Sequence, residues 1–324
     1  MCGWGVVGAG LRAHPGDVDS ESYARFLPAS YRRRASEVAP TSTWWNWRGG
    51  RVHIARAAAP EASARALVVH GAAGYSAALW PVCAPIAGMA EVLMPDLPPY
   101  GSSVVPRPGR IRYGDWVELL CELVLVESRR DNRPLVLVGA SMGGMLAYEV
   151  AARTGLASAV VATCLLDPSD PVARRHAARG AVGSVPLPAL ALLERIAGSV
   201  RVPMRWLADE HKMSRNPELS ALCAADPKGG GAATPLGLLT SFARFEHTPP
   251  ENFTDTPVVL THPAADDWTP PELSTRFLDR VKAPTTLVVL ENCGHYPAEE
   301  PGLTQLAETL YSLIGNTLGD CAQA

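Results

Sequence analysis

Residues 135–149 constrain this chain more than any other stretch. Leu135-Val136-Leu137-Val138 is a short apolar run of strand character. Gly139-Ala140-Ser141-Met142-Gly143 follows at once with G-x-S-x-G spacing, and a helical segment begins with Met142 and runs to Arg153. A strand that turns into a helix this abruptly leaves no room for side chains at Gly139 and Gly143, and it holds Ser141 in a strained conformation. The hydroxyl of Ser141 then stands clear of the main chain, at a helix N-terminus whose dipole favours a developing negative charge. G-x-S-x-G alone is common by chance. The strand before it and the helix after it are what make it informative.

The rest of the chain repeats the same rhythm. Short apolar runs of strand type occur at Trp47–Ala55, Ala66–His70, Glu91–Pro95, Leu135–Gly139, Ala159–Leu165, Pro257–His262 and Thr285–Leu290. The last five are continuously apolar, as expected of strands covered on both faces by helices. Helical segments such as Tyr113–Ser128 lie between them. The pattern predicts an α/β fold with a mostly parallel sheet. About ninety residues separate the strand ending near Leu165 from the one starting at Pro257, far more than a crossover needs. Apolar helical stretches at Val185–Ile196 and Pro235–Phe245 and a Lys228-Gly229-Gly230-Gly231 link fill this interval, which reads as a helical cap inserted after the sixth strand. The expected organisation is an N-terminal extension over 1–43 with a short helix around Tyr23–Val38, a core domain over 44–167 and 251–316, and a cap over 168–250.

Charge and cysteine usage narrow the class. The 29 Lys+Arg against 32 Asp+Glu give a net charge of −3, without the basic surplus or stripe of a nucleic-acid protein. The run Arg32-Arg33-Arg34 reads as a solvated helix face. No stretch reaches the ~18 unbroken apolar residues of a membrane span, and the apolar start lacks the basic region of a signal peptide. Seven scattered cysteines with no C-x-x-C pair read as free thiols, which points to a reducing, cytoplasmic setting.

A serine nucleophile needs a base, and the base an orienting acid. His295 follows the strand Thr285–Leu290, so it should lie at the same C-terminal sheet edge as Ser141. Asp266 follows Val258-Val259-Leu260-Thr261-His262 and ends another strand at that edge. Asp267 beside it and Asp167, which follows Leu165-Leu166, compete for the role. The order along the chain is then Ser, Asp, His.

With these residues in place the sequence resembles the α/β-hydrolase fold family, in its esterase, lipase and serine-peptidase branch, over roughly residues 50–315. Four separated motifs carry the likeness: His70-Gly71-Ala72 after a strand, Asp96-Leu97-Pro98-Pro99-Tyr100-Gly101, Gly139–Gly144, and Asp266 with His295. The resemblance implies a catalytic set of Ser141, Asp266 and His295, with Asp266 favoured because it stands four residues before Pro270. It also implies an oxyanion hole from the backbone N–H groups of Ala72 and Met142. Pro99 departs from the glycine frequent in relatives. Serine at 141 argues against epoxide opening and dehalogenation, for which relatives carry aspartate there. The implied activity is hydrolysis of a carboxylic ester of a small molecule with an apolar acyl group, with no cofactor and no metal. Thioester hydrolysis, aminopeptidase action, acyl transfer and C–C hydrolysis use the same residues, and a non-enzymatic ligand-binding scaffold is a further alternative. For peptidase action Glu194, Asp209, Glu210 or Glu218 would bind the amino terminus.

Other features read as structural. His70 should order its loop by hydrogen bonding, and His262 should be a strand-end histidine. A metal site from His70, His262, Asp266 and His295 lacks zinc-type spacing. Gly3-Trp4-Gly5-Val6-Val7-Gly8 matches G-x-G-x-x-G, but no strand precedes it and no βαβ unit follows, so it reads as a chance match. Trp44, Trp45 and Trp47 read as packing of the first strand.

Overall fold

The computed structural model describes residues 4–5, 18–177, 185–206 and 209–321. Gly3 and Val6-Val7-Gly8, most of the G-x-G-x-x-G match, lie outside the described residues. The strands are β1 (Trp4–Gly5), β2 (Thr41–Trp47), β3 (Gly50–Ala57), β4 (Ala64–Val69), β5 (Ala90–Pro95), β6 (Leu135–Gly139), β7 (Ala159–Ala162), β8 (Arg201–Pro203), β9 (Ala233–Pro235), β10 (Val258–Pro263) and β11 (Thr285–Leu290). All but β8 and β9 join one sheet in the order β1-β2-β3-β5-β4-β6-β7-β10-β11. From β5 through β4, β6, β7 and β10 to β11 every pairing is parallel, and β1 to β3 add an antiparallel edge.

The apolar runs explain the parallel part. Every residue of β4, β5, β6, β7 and β10 is buried, as two-sided helix cover requires. Two of the covering helices are α4 (Tyr113–Arg130) and α5 (Met142–Thr154), within two residues of the ends read from sequence. Gly155 closes α5 in the left-handed conformation, φ 62°.

The structure differs from the sequence reading at three places. The single strand expected at Trp47–Ala55 is a hairpin of β2 and β3. Arg48 and Gly49 both take positive φ (47° and 75°), as a two-residue primed turn requires. The single helix expected around Tyr23–Val38 is two, α1 (Ser20–Ala24) and α2 (Ala29–Glu37), because Pro28 holds the preceding residue out of the helical region. Finally, β11 is an edge strand rather than a doubly covered one, and Leu287 and Val289 on one face are 46% and 45% exposed.

Residues 18–40 are built into the molecule. Tyr23, Leu27, Tyr31 and Ala35 enter the main hydrophobic core, and Trp80 on α3 (Ser76–Cys83) donates its indole N–H to Ala35 O at 3.0 Å. Trp45 and Trp47 are buried core residues, and the Trp44 ring meets the His53 ring edge-on. The interval between β7 and β10 carries α6 (Pro171–Ala177), α7 (Leu187–Ala197), α8 (Pro217–Ala225), α9 (Leu236–Ala243) and the antiparallel pair β8–β9. Counted from β2, it leaves the sheet after the sixth strand. After it come α10 (Pro271–Leu278) and α11 (Gly302–Cys321), the latter beside β11.

Candidate active site

The β6–α5 turn has the geometry its glycines require. Ser141 sits at φ 55°, ψ −127°, a conformation rare for a residue with a side chain. A Cβ on Gly139 would lie 2.1 Å from Gly143 O, and one on Gly143 would lie 2.2 Å from Val69 O. No side chain fits at either position. Thr163, just past β7, holds the turn from the side: its Oγ1 accepts the Ser141 N–H at 3.0 Å.

His295 and Asp266 converge on this turn from the ends of β11 and β10. His295 Nε2 lies 2.8 Å from Ser141 Oγ, and His295 Nδ1 lies 2.8 Å from Asp266 Oδ2. The Asp266 carboxylate accepts further bonds from the N–H groups of Trp268 and Thr269, both at 2.9 Å, and from Thr269 Oγ1 at 2.7 Å. Burial alone would raise its pKa. The positive charge available on His295 and these donors outweigh burial and hold it down at about 2, so it stays ionised at any ordinary pH. An ionised Asp266 keeps the proton on His295 Nδ1 and leaves Nε2 free to accept from Ser141.

The competing acids are placed elsewhere. Asp167 Oδ1 accepts the Ser169 N–H at 2.8 Å, within its own loop. Asp267 turns its backbone carbonyl to Lys212. Of the other histidines, His70 spans two loops: its Nδ1 donates to Gly71 O at 2.7 Å, and its Nε2 accepts the Leu97 N–H at 2.7 Å. His262 is buried and donates from Nδ1 to Pro263 O at 3.1 Å. Burial lowers the pKa of both, so both are neutral.

The loop carrying Ala72 packs on the turn. A Cβ on Gly71 would sit 3.0 Å from both Met142 N and Ser141 Cβ. Met142 opens α5, so its N–H has no partner in the helical ladder. Ala72 and Met142 line the same cavity as Ser141. Behind this loop the buried Asp96 accepts from Ser76 N, Ser102 N and His53 Nδ1 at 2.7–2.8 Å. A Cβ on Gly101 would collide with that carboxylate, and Gly101 takes φ 63°. The Pro98–Pro99 peptide in the same turn is cis.

Two cavities meet at Ser141 and His295. The larger, about 320 Å³, lies under the inserted segment and is lined mainly by apolar side chains, among them Leu190, Met204, Leu236, Leu239 and Phe242. The smaller, about 80 Å³, is bounded by Tyr23, Leu79, Met213 and Tyr296. Trp268 borders both, its ring 4.8 Å from that of His295. Sequence reasoning missed Trp268, Thr269 and Thr163. The first two stand within three residues of Asp266, where a tight acid-bearing loop could have signalled them; Thr163 offers no such signal. Tyr23 was also missed, because nothing local ties residue 23 to this edge. Glu194 is held by Arg112 at 3.1 Å and Arg244 at 2.8 Å. Glu194, Asp209 and Glu218 are absent from the described lining of either cavity, and the Glu210 side chain lies outside the described residues.

The profile of the alpha/beta hydrolase family matches residues 66–308, three quarters of the chain. The chain belongs to that family. Among solved structures it is similar to a soluble variant of the monoglyceride lipase of Saccharomyces cerevisiae, at TM-score 0.67 and 15% identity over 86% of this chain and 95% of that one. It is similar to the monoacylglycerol lipase of Paleococcus ferrophilus at TM-score 0.65 and 20% identity, covering 82% and 98%. An esterase of Rhodococcus sp. ECU1013 matches at TM-score 0.56 and 18% identity, covering 86% and 99%. At these identities the likeness is one of fold. No curated protein matches the chain.

Proposed function

We propose that the protein is a serine hydrolase that cleaves a carboxylic ester through an acyl-enzyme. The observation that carries this reading is the unbroken relay from Ser141 Oγ through His295 to Asp266, 2.8 Å at each link, opening on an apolar cavity. His295 Nε2 takes the Ser141 proton as Oγ attacks the ester carbonyl, and Asp266 stabilises the imidazolium that results. The N–H groups of Ala72 and Met142 receive the oxyanion; losing one such donor typically costs about 10²–10³ in rate. The imidazolium then protonates the departing alkoxide. A water activated by the same nitrogen releases the acid. No step calls on a metal or an organic cofactor.

Residues 168–250 serve in this reading as a cap on a core formed by 44–167 and 251–316, with 1–43 as an N-terminal extension. The apolar cavity under the cap takes the acyl group, and the smaller one takes the alcohol. The lipase and esterase names of the structural neighbours agree with an acyl ester substrate. Peptidase action is less well supported, because Glu194 is already neutralised by two arginines.

A fluorophosphonate probe should label Ser141 and no other serine, and Ser141→Ala should abolish labelling and ester turnover; labelling elsewhere would overturn the mechanism. Each buried methylene contributes about 0.8 kcal/mol, roughly fourfold in kcat/KM. Across neutral aryl esters kcat/KM should therefore rise from acetyl to medium-chain acyl groups and then decline. Leu239→Trp, which narrows the cavity, should move that optimum to shorter chains. An acetyl preference untouched by Leu239→Trp would place selectivity outside this cavity.

A further inference from the structure

The larger cavity contains one feature that an ordinary acyl chain does not use. Among the described residues that line it, Arg174 is the only one with a permanent charge. It stands on α6, the first helix after β7, and is half-buried. Its Nη1 donates to Pro168 O at 2.8 Å, while its Nε is buried with no hydrogen-bond partner among the described residues.

Two other guanidinium groups that reach into the interior are matched by carboxylates. Arg56 meets Glu91 and Glu127 at 2.5 and 2.6 Å, and Arg112 meets Glu194 at 3.1 Å. Among the described residues no carboxylate pairs with Arg174. The nearest acids in sequence are committed elsewhere: Asp170 to Arg276 at 2.8 Å, and Asp167 to Ser169 N. No acidic residue occurs between Asp170 and Glu194, and Glu194 is shared by Arg112 and Arg244. A buried donor left unmatched in an apolar wall is unfavourable, and an anionic ligand removes that cost. Nη1 is taken by a carbonyl, and the guanidinium keeps its charge and further N–H donors for a carboxylate that enters the cavity.

We propose that Arg174 binds a carboxylate carried by the acyl group, so that the preferred substrates are half-esters of dicarboxylic acids. This rests on the ester-hydrolase reading of Ser141 and His295, which share the cavity with Arg174. The apolar wall packs the methylenes between the two ends. The guanidinium selects the far end by charge.

The test compares 4-nitrophenyl half-esters of diacids from succinic to suberic, each against the neutral acyl ester of equal carbon count, on the full chain and on Arg174→Gln and Arg174→Lys. For at least one chain length the wild type should favour the half-ester. Arg174→Gln should lower kcat/KM for that half-ester by about tenfold or more, chiefly through KM, as loss of a charge-assisted hydrogen-bonded pair does. The neutral ester should be turned over as before or faster, and Arg174→Lys should recover part of the loss. A preference for neutral esters at every length, or an equal fall on both substrate types in Arg174→Gln, overturns the proposal and leaves the ester reading intact. If no ester is turned over, the ester reading fails. Arg174 is then tested alone by calorimetry of the monomethyl esters of the same diacids on Ser141→Ala and on the Ser141→Ala, Arg174→Gln double variant. Binding that disappears with the arginine supports the anion site, and binding that is absent or indifferent to it overturns the site.

Discussion

At Ser141 the backbone holds a conformation that nothing local favours, and three neighbours keep it there: the missing side chains of Gly139 and Gly143, and the hydroxyl of Thr163. Gly143→Ala should therefore act as a structural lesion. Its Cβ would lie 2.2 Å from a buried carbonyl, a clash that main chain cannot yield to cheaply. Chemical denaturation should show a loss of at least about 3 kcal/mol, and an unchanged midpoint would mean the turn is not as tight as described. Asp266 gives a sharper test, because the sequence left Asp167 and Asp267 as rivals. Only Asp266 touches His295, and its carboxylate stays ionised down to a pKa of about 2. Asp266→Asn should keep the shape and lose the preferred imidazole tautomer, lowering kcat by about 10⁴. Asp167→Asn and Asp267→Asn should stay within a few-fold of wild type in the same steady-state assay. A large fall in either of those, with Asp266→Asn active, would reassign the acid.

At the scale of elements, the parallel strands and the β6–α5 turn were legible because their signals are local: continuous apolar runs, glycines at fixed spacing, and a serine between them. What stayed hidden is decided by contacts remote in sequence. Nothing around residue 23 announces that α1 borders a cavity, yet Tyr23 reaches across 203 positions to donate to Asp226 at 2.6 Å. The second half of β11, Leu287-Val288-Val289-Leu290, looks as apolar as β6, and its place at the end of the sheet leaves it partly open. The hairpin at Arg48-Gly49 was a missed local signal, since Gly49 stands between the tryptophan-rich run Trp44–Trp47 and the alternating run Val52-His53-Ile54, as a two-residue turn allows. Asp226 is the point where these remote pieces join. It is fully buried and accepts from Tyr23, from Tyr75 at 2.7 Å and from Lys228 N at 2.9 Å, so it ties α1 and the loop after β4 to the inserted segment. Charge-assisted bonds of this kind are worth about 1.5–3 kcal/mol each when buried. Tyr23→Phe should cost about 1–3 kcal/mol by urea denaturation, and Tyr23→Phe with Tyr75→Phe should cost more than the sum of the two single changes, because either hydroxyl alone still serves the shared oxygen and losing both leaves it bare. Strict additivity would mean the two bonds are independent and Asp226 is no common anchor.

Across the whole molecule burial lowers the pKa of three histidines, His70, His247 and His262, and this bears on how the fold responds to acid. His247 lies where the inserted segment returns to the sheet. Its rings of contact are Phe242, Phe245 and Tyr113, and its Nε2 is 2.9 Å from the Tyr113 hydroxyl. Burial, with the Arg153 charge as a second cause, pushes its pKa down from 6.5 to about 3. A histidine with a lowered folded pKa is neutral in the fold and takes a proton only on unfolding, so it is without effect above about pH 6.5. Below that value the unfolded chain binds the extra proton, and stability falls as pH drops, until about pH 3, where the folded ring titrates too. The limiting slope is about 1.4 kcal/mol per pH unit, and because the ring is only partly covered a loss of about 2 kcal/mol between pH 6.5 and 4.5 is expected. Asp266 works in a different window: its folded pKa is about 2 against an ordinary 3.8, so its contribution is complete above about pH 4 and is lost only below that. The two effects can therefore be read apart. Urea midpoints of wild type and His247→Gln, measured from pH 8 to 4.5, should run parallel above pH 6.5 and converge below it, since the variant has no ring to protonate. Parallel curves over the whole range would show that His247 enters the fold with its ordinary pKa, and that the return of the inserted segment to the sheet is no drier than the surface.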